Sequence, residues 1–527
     1  MEDSLFCANE PFESAHSFFM MEWSNMNIRY LVTAEEMKEY DSNTISRIGI
    51  PAMVLMERAA LAAADYIAEK WEKGSALILA GAGNNGGDGL ALARLLAERG
   101  WNPEVWCVGS EEKATAQWKA QKKILNSYSV NFSSTPQKSE YTIIVDALFG
   151  VGLSREVTGE YARMIETFQN LTGFKLALDL PSGVCSDTGR IWGTAVRADA
   201  TVTFGFMKRG LSMFPACEYA GEVILKDIGI TENSFFGRIP EMFTYTEDPA
   251  KLMPDREKDG NKGTFGKVLL AAGSVNMAGA AILAARAAYR MGAGMVKVIT
   301  PEENRVILQT AVPEALLGTT RELAASMEWA DAIVIGPGLG KGDEAAEALC
   351  QVIDYGKKPL VIDADGLNLL AGSGDLQARL ALQGNAGRQV ILTPHAGELS
   401  RLTNVPVQTL KQDLLKYGTE LSKRLHVTVT AKDARTVVCR ESGSAYLNIC
   451  GNSGMATAGS GDVLAGITGA LLTQMEDGFA AAALSVYIHG KAGDIAAAQK
   501  GEQGCMAGDI TEALGKLGMP ERQHSSH

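Results

Sequence analysis

Positive charge is scarce in this chain: 49 lysines and arginines stand against 62 aspartates and glutamates, a formal net charge of −13 over 527 residues. That balance disfavours nucleic acid and anionic membrane surfaces as partners, because both call for a basic field. Any phosphate held by this protein must be held by local backbone geometry and a few placed cations. No apolar run reaches the length of a membrane span. Paired cysteines are missing as well. The eight (Cys7, Cys107, Cys185, Cys217, Cys350, Cys439, Cys450, Cys505) form no C-x-x-C and no even spacing, which reads as reduced thiols in a reducing compartment. A signal peptide is not expected, since Glu2, Asp3, Glu10 and Glu13 before the apolar Phe18-Phe19-Met20-Met21 carry the wrong charge for one. A cytoplasmic protein is expected, with residues 1–25 as a poorly ordered extension.

What is present is ordinary globular material, 46% hydrophobic, and at 527 residues too much for one core. Thr33-Ala34-Glu35-Glu36 is a capping box that opens a helix to about Ile48. Short apolar strands are expected at 76–80, 105–108, 142–145, 175–178 and 200–204, with helical stretches between several of them. The same alternation restarts at Lys267 and runs through 296–300, 332–335, 360–362, 390–392 and 427–431, followed by a hairpin at 437–438 and 445–447. Alternation of this kind means mostly parallel sheets covered on both faces. Between the two series, 231–261 is polar and carries Pro240, Pro249 and Pro254, the best linker candidate. The expected organisation is α/β throughout, with domains at 26–240 and 245–520.

The densest chemical signal is Thr457-Ala458-Gly459-Ser460-Gly461-Asp462 before an apolar helix. Small residues let successive backbone N–H groups converge at a helix start, which carries partial positive charge and receives anions. Asp462 beside such a hole suits a base that deprotonates a hydroxyl as a phosphoryl group arrives. The plain alternative is a Gly-rich turn with Asp462 as helix cap. Upstream, the strand ends at Gly336-Pro337-Gly338-Leu339-Gly340-Lys341, Asp363-Ala364-Asp365-Gly366, Thr393-Pro394-His395-Ala396-Gly397-Glu398 and Lys432-Asp433-Ala434-Arg435-Thr436 would rim one crevice with that helix. The last of these places cations where a nucleotide phosphate can lie.

In the first half, Gly81-Ala82-Gly83-Asn84-Asn85-Gly86 matches G-x-G-x-x-G between a strand and a helix. A dehydrogenase would carry an acid at the end of the next strand. Here that strand ends Cys107-Val108-Gly109-Ser110, which weakens a hydride-transfer reading. Asp146 and Asp179 end two further strands, and Asn85, Asp146 and Ser182 offer hard oxygen ligands for an alkali cation. Asp179 is placed to move a proton, and Lys208 to meet a phosphate. Two rival readings stay open on residues alone: a small-molecule sugar or vitamin kinase with an accessory domain, or a first domain that is a non-catalytic nucleotide sensor or scaffold.

Taken together, these motifs resemble the fused NAD(P)H-hydrate repair enzymes. The amino half is similar to the epimerase domain through Asn84-Asn85-Gly86-Gly87-Asp88-Gly89, the run from Asp146 to Leu153, and Asp179-Leu180-Pro181-Ser182-Gly183. The carboxyl half is similar to the ADP-dependent hydrate dehydratase through Lys262-Gly263-Thr264-Phe265-Gly266-Lys267, Gly336-Pro337-Gly338-Leu339-Gly340 and the 454–462 run. The resemblance covers about 26–518. It implies a Rossmann-like three-layer parallel-sheet domain followed by a ribokinase-like α/β domain. It implies substrate contacts from Asn84, Asn85, Gly86, Gly87, Asp88, Gly150, Val151, Gly152, Leu153, Ser154, Arg155, Glu156 and Asp179, with K⁺ on Asn85, Asp146 and Ser182. In the second domain it implies hydrate contacts at Ala280, Gly338, His395 and Asp462, and nucleotide contacts at Lys432, Asp433, Ala434, Arg435, Thr436 and Gly461. Asp179 and Asp462 are the implied catalytic groups. The implied ligands are hydrated NADH and NADPH, ADP as phosphoryl donor, and Mg²⁺ riding on its phosphates, in a homo-oligomer. Asp433 stands where the family often has glycine, an acid expected to weaken nucleotide affinity.

Overall fold

The structure, a computed structural model, describes residues 28–128 and 130–517; the extension expected at 1–25 lies outside the described residues. Two compact units divide at 242/243. In the first, strands run in the order Asn131–Ser133, Asn102–Cys107, Ser75–Ala80, Glu140–Ala147, Thr172–Leu178, Ala200–Phe204, Glu222–Lys226. All adjacent pairs are parallel. Side chains alternate across the sheet. Ile78, Val105, Val145 and Leu176 join one core, while Leu77, Leu79, Trp106 and Ile144 join the core on the opposite face. Burial on both faces is why these strands read as unbroken apolar runs. The order reverses direction between Ser75–Ala80 and Glu140–Ala147, so their following loops open a crevice at the carboxyl ends of the strands.

The capping box forms as expected. Thr33 accepts from the Glu36 amide at 3.2 Å and the Glu36 carboxylate accepts from the Thr33 amide at 2.7 Å. Such a cap contributes about 1 kcal/mol. The helix Ala34–Asn43 continues as a π-helical turn, Thr44–Ile48, and stops at Gly49 in the left-handed region.

In the second unit the strand order is Leu316–Gly318, Met295–Ile299, Lys267–Ala271, Ala332–Ile335, Leu360–Ile362, Val390–Leu392, Thr428–Ala431, Val437–Cys439, Ala445–Leu447. The first seven are parallel and the last two turn back as the expected hairpin. Helix Ser460–Leu471 crosses this sheet in close contact. A Cβ on Gly469 would sit 2.4 Å from Val334, and one on Gly466 would sit 2.2 Å from the Ala284 carbonyl on helix Ala278–Arg290. Among the described residues no helix is long and apolar enough to cross a membrane.

One expectation needs correcting. The stretch 231–261 is structured rather than a free linker: Glu232–Ser234 is a 3₁₀ turn, Met242–Tyr245 a buried strand and Pro249–Leu252 a short helix. Phe235 and Met242 are buried, and Pro249 takes the first helical position under an Asp248 cap, where a missing N–H is tolerated.

Candidate functional site

Each unit gathers its strand-end motifs into one place. In the first unit a cavity of about 830 Å³ opens at the crevice, and Asn84, Asn85 and Asp88 from helix Asn84–Glu98 line it. The loop carrying Gly150, Val151, Gly152, Leu153, Ser154 and Arg155 faces them, together with Asp179 and Lys208. Gly86 and Gly87, expected as substrate contacts, are buried in the first turns of that helix and do not line the cavity. A Cβ on Gly86 would collide with the Gly81 carbonyl at 1.8 Å, so only glycine lets the helix start so close to the strand end. Glu156 is exposed at the end of the facing loop.

Asp179 holds a left-handed backbone, φ 67°, at a cost of roughly 1–2 kcal/mol for a residue with a Cβ. That turn sends its carboxylate to the buried Lys208 ammonium, 2.5 Å away, and Thr203 donates to it at 3.4 Å. The phosphate contact expected of Lys208 is therefore corrected: its charge is spent on Asp179, Thr203 and the Phe204 carbonyl, a buried pairing with no amine left turned to solvent.

Asp146 is fully buried and accepts from the Ser182 amide at 2.7 Å, the Ser182 hydroxyl at 2.7 Å and the Leu148 amide at 3.2 Å. Burial pushes its pKa up to about 6 despite those hydrogen bonds. The Asn85 amide nitrogen donates to the Phe149 and Leu178 carbonyls, which fixes the amide plane and leaves its buried Oδ1 without a partner. Ser182 Oγ accepts from the Phe149 amide at 2.9 Å, so Ser182 and Asn85 hold the N–H and the carbonyl of the same residue. An orphaned carbonyl oxygen, a hydroxyl and a carboxylate whose charge is disfavoured by burial make a donor set that fits a hard monovalent cation.

In the second unit the parallel strands end together, as their registers require. Gly336 has φ 123°, and a Cβ there would fall 1.9 Å from the Asp363 carbonyl. Asp365 accepts from the Gly340 amide at 2.9 Å, tying the two loops. Gly338 and Ala280 are brought together, since a Cβ on Gly338 would lie 2.8 Å from the Ala280 methyl. The cap of helix Ser460–Leu471 is Gly459 in the left-handed region, so Asp462 is its third residue and not its cap. The Ser460 amide donates to the Thr457 carbonyl at 3.3 Å, while those of Gly461 and Asp462 lie in the first turn, where an intrahelical acceptor is lacking and an anion can serve.

Lys432 reaches across this helix start. Its ammonium lies 2.9 Å from the buried Asp363 carboxylate, and a Cβ on Gly461 would be 3.2 Å from it. Burial works against its charge, but Asp363 and Glu398 outweigh that and raise its pKa. For Asp462 burial pushes the carboxyl up to about 6, Asp363 adding to the rise, Lys432 opposing it and Asp365 adding again. His395 sits beside Lys432 across a backbone bridge. Its ring Nδ1 accepts from the Gly397 amide at 2.9 Å and caps helix Ala396–Thr403, while Nε2 lies 3.3 Å from Glu398. Burial, then Lys432 and Arg401, keep its pKa below the usual histidine value. Asp433 meets Lys411 at 3.3 Å and its carbonyl accepts from Thr436 at 3.2 Å; Ala434 and Arg435 complete the loop between them.

With the geometry in hand, comparison with known proteins narrows the reading. Residues 268–516 match the family model described as NAD(P)H-hydrate dehydratase, and 52–210 match that described as YjeF-related protein N-terminus. The bifunctional NAD(P)H-hydrate repair enzyme Nnr of Thermofilum pendens is 33% identical over 91% of this chain and 94% of its own length. That of Coxiella burnetii is 37% identical over 90% and 96%, and that of Escherichia coli 32% over 94% and 95%. The chain belongs to the bifunctional NAD(P)H-hydrate repair enzyme family. Its second unit is the ribokinase-like half of that family's α/β architecture, and its first unit the Rossmann-like half. A solved ADP/ATP-dependent NAD(P)H-hydrate dehydratase from Bacillus subtilis is 30% identical, spanning 51% of this chain and 95% of that one, with a TM-score of 0.45.

Residue order alone did not expose the ion pairs that organise these two candidate sites. Asp179 and Lys208 are 29 positions apart and Asp363 and Lys432 are 69. Asp41, on helix Ala34–Asn43, also lines the first cavity and was not foreseen. The one available signal was its place four residues after Met37, on the same helical face.

Proposed function

We propose that this chain repairs hydrated NADH and NADPH in two reactions. The first unit interconverts the R and S epimers at ring carbon 6, and the second converts the S epimer back to the reduced coenzyme at the expense of ADP. The observation that carries the reading is the second site: a buried carboxylate, Asp462, on the first turn of an anion-receiving helix, with Lys432 alongside.

Hydroxide is a poor leaving group and phosphate a good one, which sets the order of events. Asp462 takes the proton of the C6 hydroxyl while its oxygen bonds to the terminal phosphorus of ADP and AMP departs. The amides of Gly461 and Asp462 and the Lys432 ammonium receive the charge that builds on the transferring group. The C6–O bond then breaks with the phosphate, a proton leaves C5, and the dihydropyridine is restored. Gly461 and the 432–436 loop would hold the adenylate phosphates, Gly338 and Ala280 the hydrate, and Mg²⁺ would supply positive charge to offset that of the phosphates. Lys411 offsets the charge of Asp433, so the acid in that loop is compatible with an anionic ligand. His395 would approach the hydrate through its exposed edge while capping its helix.

In the first unit the reacting ring would enter the cavity between Asp88 and Asp179, with the 150–156 loop along its phosphates. Asn85, Asp146 and Ser182 would hold K⁺. Bound there, the cation supplies a fixed positive charge close to the strand ends. The test is a mixture of both epimers with ADP, followed by the returning absorbance of the reduced nicotinamide. Full recovery supports both units, a stall near half supports only the second, and no recovery rejects the proposal.

A further inference from the structure

We infer that Asp88 is the acid of the epimerisation, giving a proton to the departing C6 hydroxyl, while Asp179 is the base that receives one from the water returning to the opposite face. This rests on the epimerase reading of the first unit and adds the partner that reading lacks.

Inverting carbon 6 requires its C–O bond to break. The ring nitrogen can push the hydroxyl out, but its lone pair is shared with the neighbouring double bond and carboxamide, so the push is weak. Protonation of the leaving oxygen is then the step to catalyse. Proton bookkeeping demands two groups in opposite states, one acid and one carboxylate, facing the same ring.

The cavity supplies that pair. Asp179 is held in place by the Lys208 ammonium at 2.5 Å and by the Thr203 hydroxyl at 3.4 Å. Asp88 sits on the facing helix with no side-chain hydrogen bond to any described residue. Gly87 and Gly89 on either side of it pack against Met56 and Ala147 so closely that a Cβ would come within 2.6 and 2.7 Å, which seats that turn against its neighbours while Asp88 lines the cavity. Burial raises the pKa of Asp88 well above the ordinary carboxylate range, with Asp179 and Asp41 adding and Lys208 opposing. Lys38, Lys113 and Arg155 also line the cavity. Two carboxyl groups on one cavity, one bonded to an ammonium and the other without a side-chain partner among the described residues, have the unlike surroundings of an acid–base pair. Asp41 lines the same cavity, but its rise comes from burial alone and is not tied to Asp179.

The step balances. The Asp88 O–H proton goes to the C6 hydroxyl, the C6–O electrons leave with water, and the nitrogen lone pair closes an iminium. Water then bonds to C6 from the other face, its proton passes to Asp179, and the iminium electrons return to nitrogen. Exchange of one proton between the two carboxyls, through water, resets the site.

The experiment uses the full chain without ADP, an epimer mixture displaced from equilibrium, and the R:S ratio read by chromatography against time. Asp88→Asn is expected to lower kcat about a hundred- to ten-thousand-fold with KM nearly unchanged. Asp88→Glu should recover part of that rate together with a decline toward high pH that Asp88→Asn lacks. Should Asp88→Asn fail to fold, as judged by its melting curve, the Glu variant carries the test: a pH profile without a high-pH decline would overturn the inference. So would an Asp88→Asn protein that keeps kcat, or loss of the high-pH limb in Asp41→Asn instead. If the parent protein itself moves no epimer ratio, the epimerase reading fails; if the parent works and Asp88→Asn works equally, only the acid assignment does.

Discussion

Both sites are built on a buried lysine–aspartate pair at the carboxyl edge of a parallel sheet, yet the two pairs serve different ends. In the first unit Lys208 grips Asp179 itself, the carboxylate proposed to act on substrate. In the second, Lys432 grips Asp363, and the proposed base Asp462 has no cation bonded to it. The difference shows in how each carboxylate is held. A carboxylate bonded to an ammonium is fixed in position, facing whatever enters the cavity beside it. A carboxylate left in a poorly solvated pocket binds a proton more tightly and can take one from a hydroxyl. The same two residue types thus tune one site toward proton exchange and the other toward deprotonation.

Removing the lysines should separate the two designs most sharply. Lys432→Met leaves Asp363, 1% exposed, as an uncompensated buried charge, and unfolding stability should fall by about 3–5 kcal/mol. Lys208→Met leaves Asp179, 15% exposed beside a cavity, and the loss should be smaller, about 1–3 kcal/mol. Urea unfolding of the two variants ranks them; equal losses would contradict the contrast.

Acidity gives the next largest effect. Dehydration at saturating ADP should rise with pH through a midpoint near 6, where Asp462 becomes ionised. Asp363→Asn removes a charge that raises that pKa, so the midpoint should move to lower pH. The linkage runs the other way for stability. Because the folded-state pKa of Asp462 lies above its ordinary 3.8, the native state is favoured below that value and loses this contribution as pH rises through about 6. Asp462→Asn should therefore melt higher than the parent at neutral pH and no higher in acid.

The smallest effect concerns the cation. Potassium chloride, compared with an equal concentration of a larger organic cation salt, should raise the melting temperature of the parent by binding the folded state. The increment should vanish in Asn85→Ala, which deletes the orphaned oxygen. An increment that survives would remove Asn85 from the ligand set.

Much of this was legible because strand ends in α/β sheets are marked chemically. Strands buried on both faces spell continuous Val, Ile, Leu and Ala, and the residues just after them must turn sharply, so Gly81, Gly336 and Asp363 announce the site edge. The turn at 459–462 was visible for the same reason: its small residues let the chain turn tightly, Gly459 against Leu283 and Gly461 beside Lys432. What could not be read were contacts between elements far apart in sequence. Lys208 looked like a phosphate ligand because nothing local says that strand Ala200–Phe204 and the Asp179 turn bring it a carboxylate. His395 read as a strand-end imidazole three residues before Glu398, and nothing local announced that its ring caps helix Ala396–Thr403. The 231–261 stretch read as linker because prolines and charges mask short elements whose few apolar residues are buried.

The most direct trial is Asp462→Asn supplied with both hydrate epimers and ADP, the coenzyme absorbance and the epimer ratio being followed together. The account predicts that coenzyme return falls by about a hundred- to ten-thousand-fold while R and S still interconvert. Repair at the parental rate would contradict it.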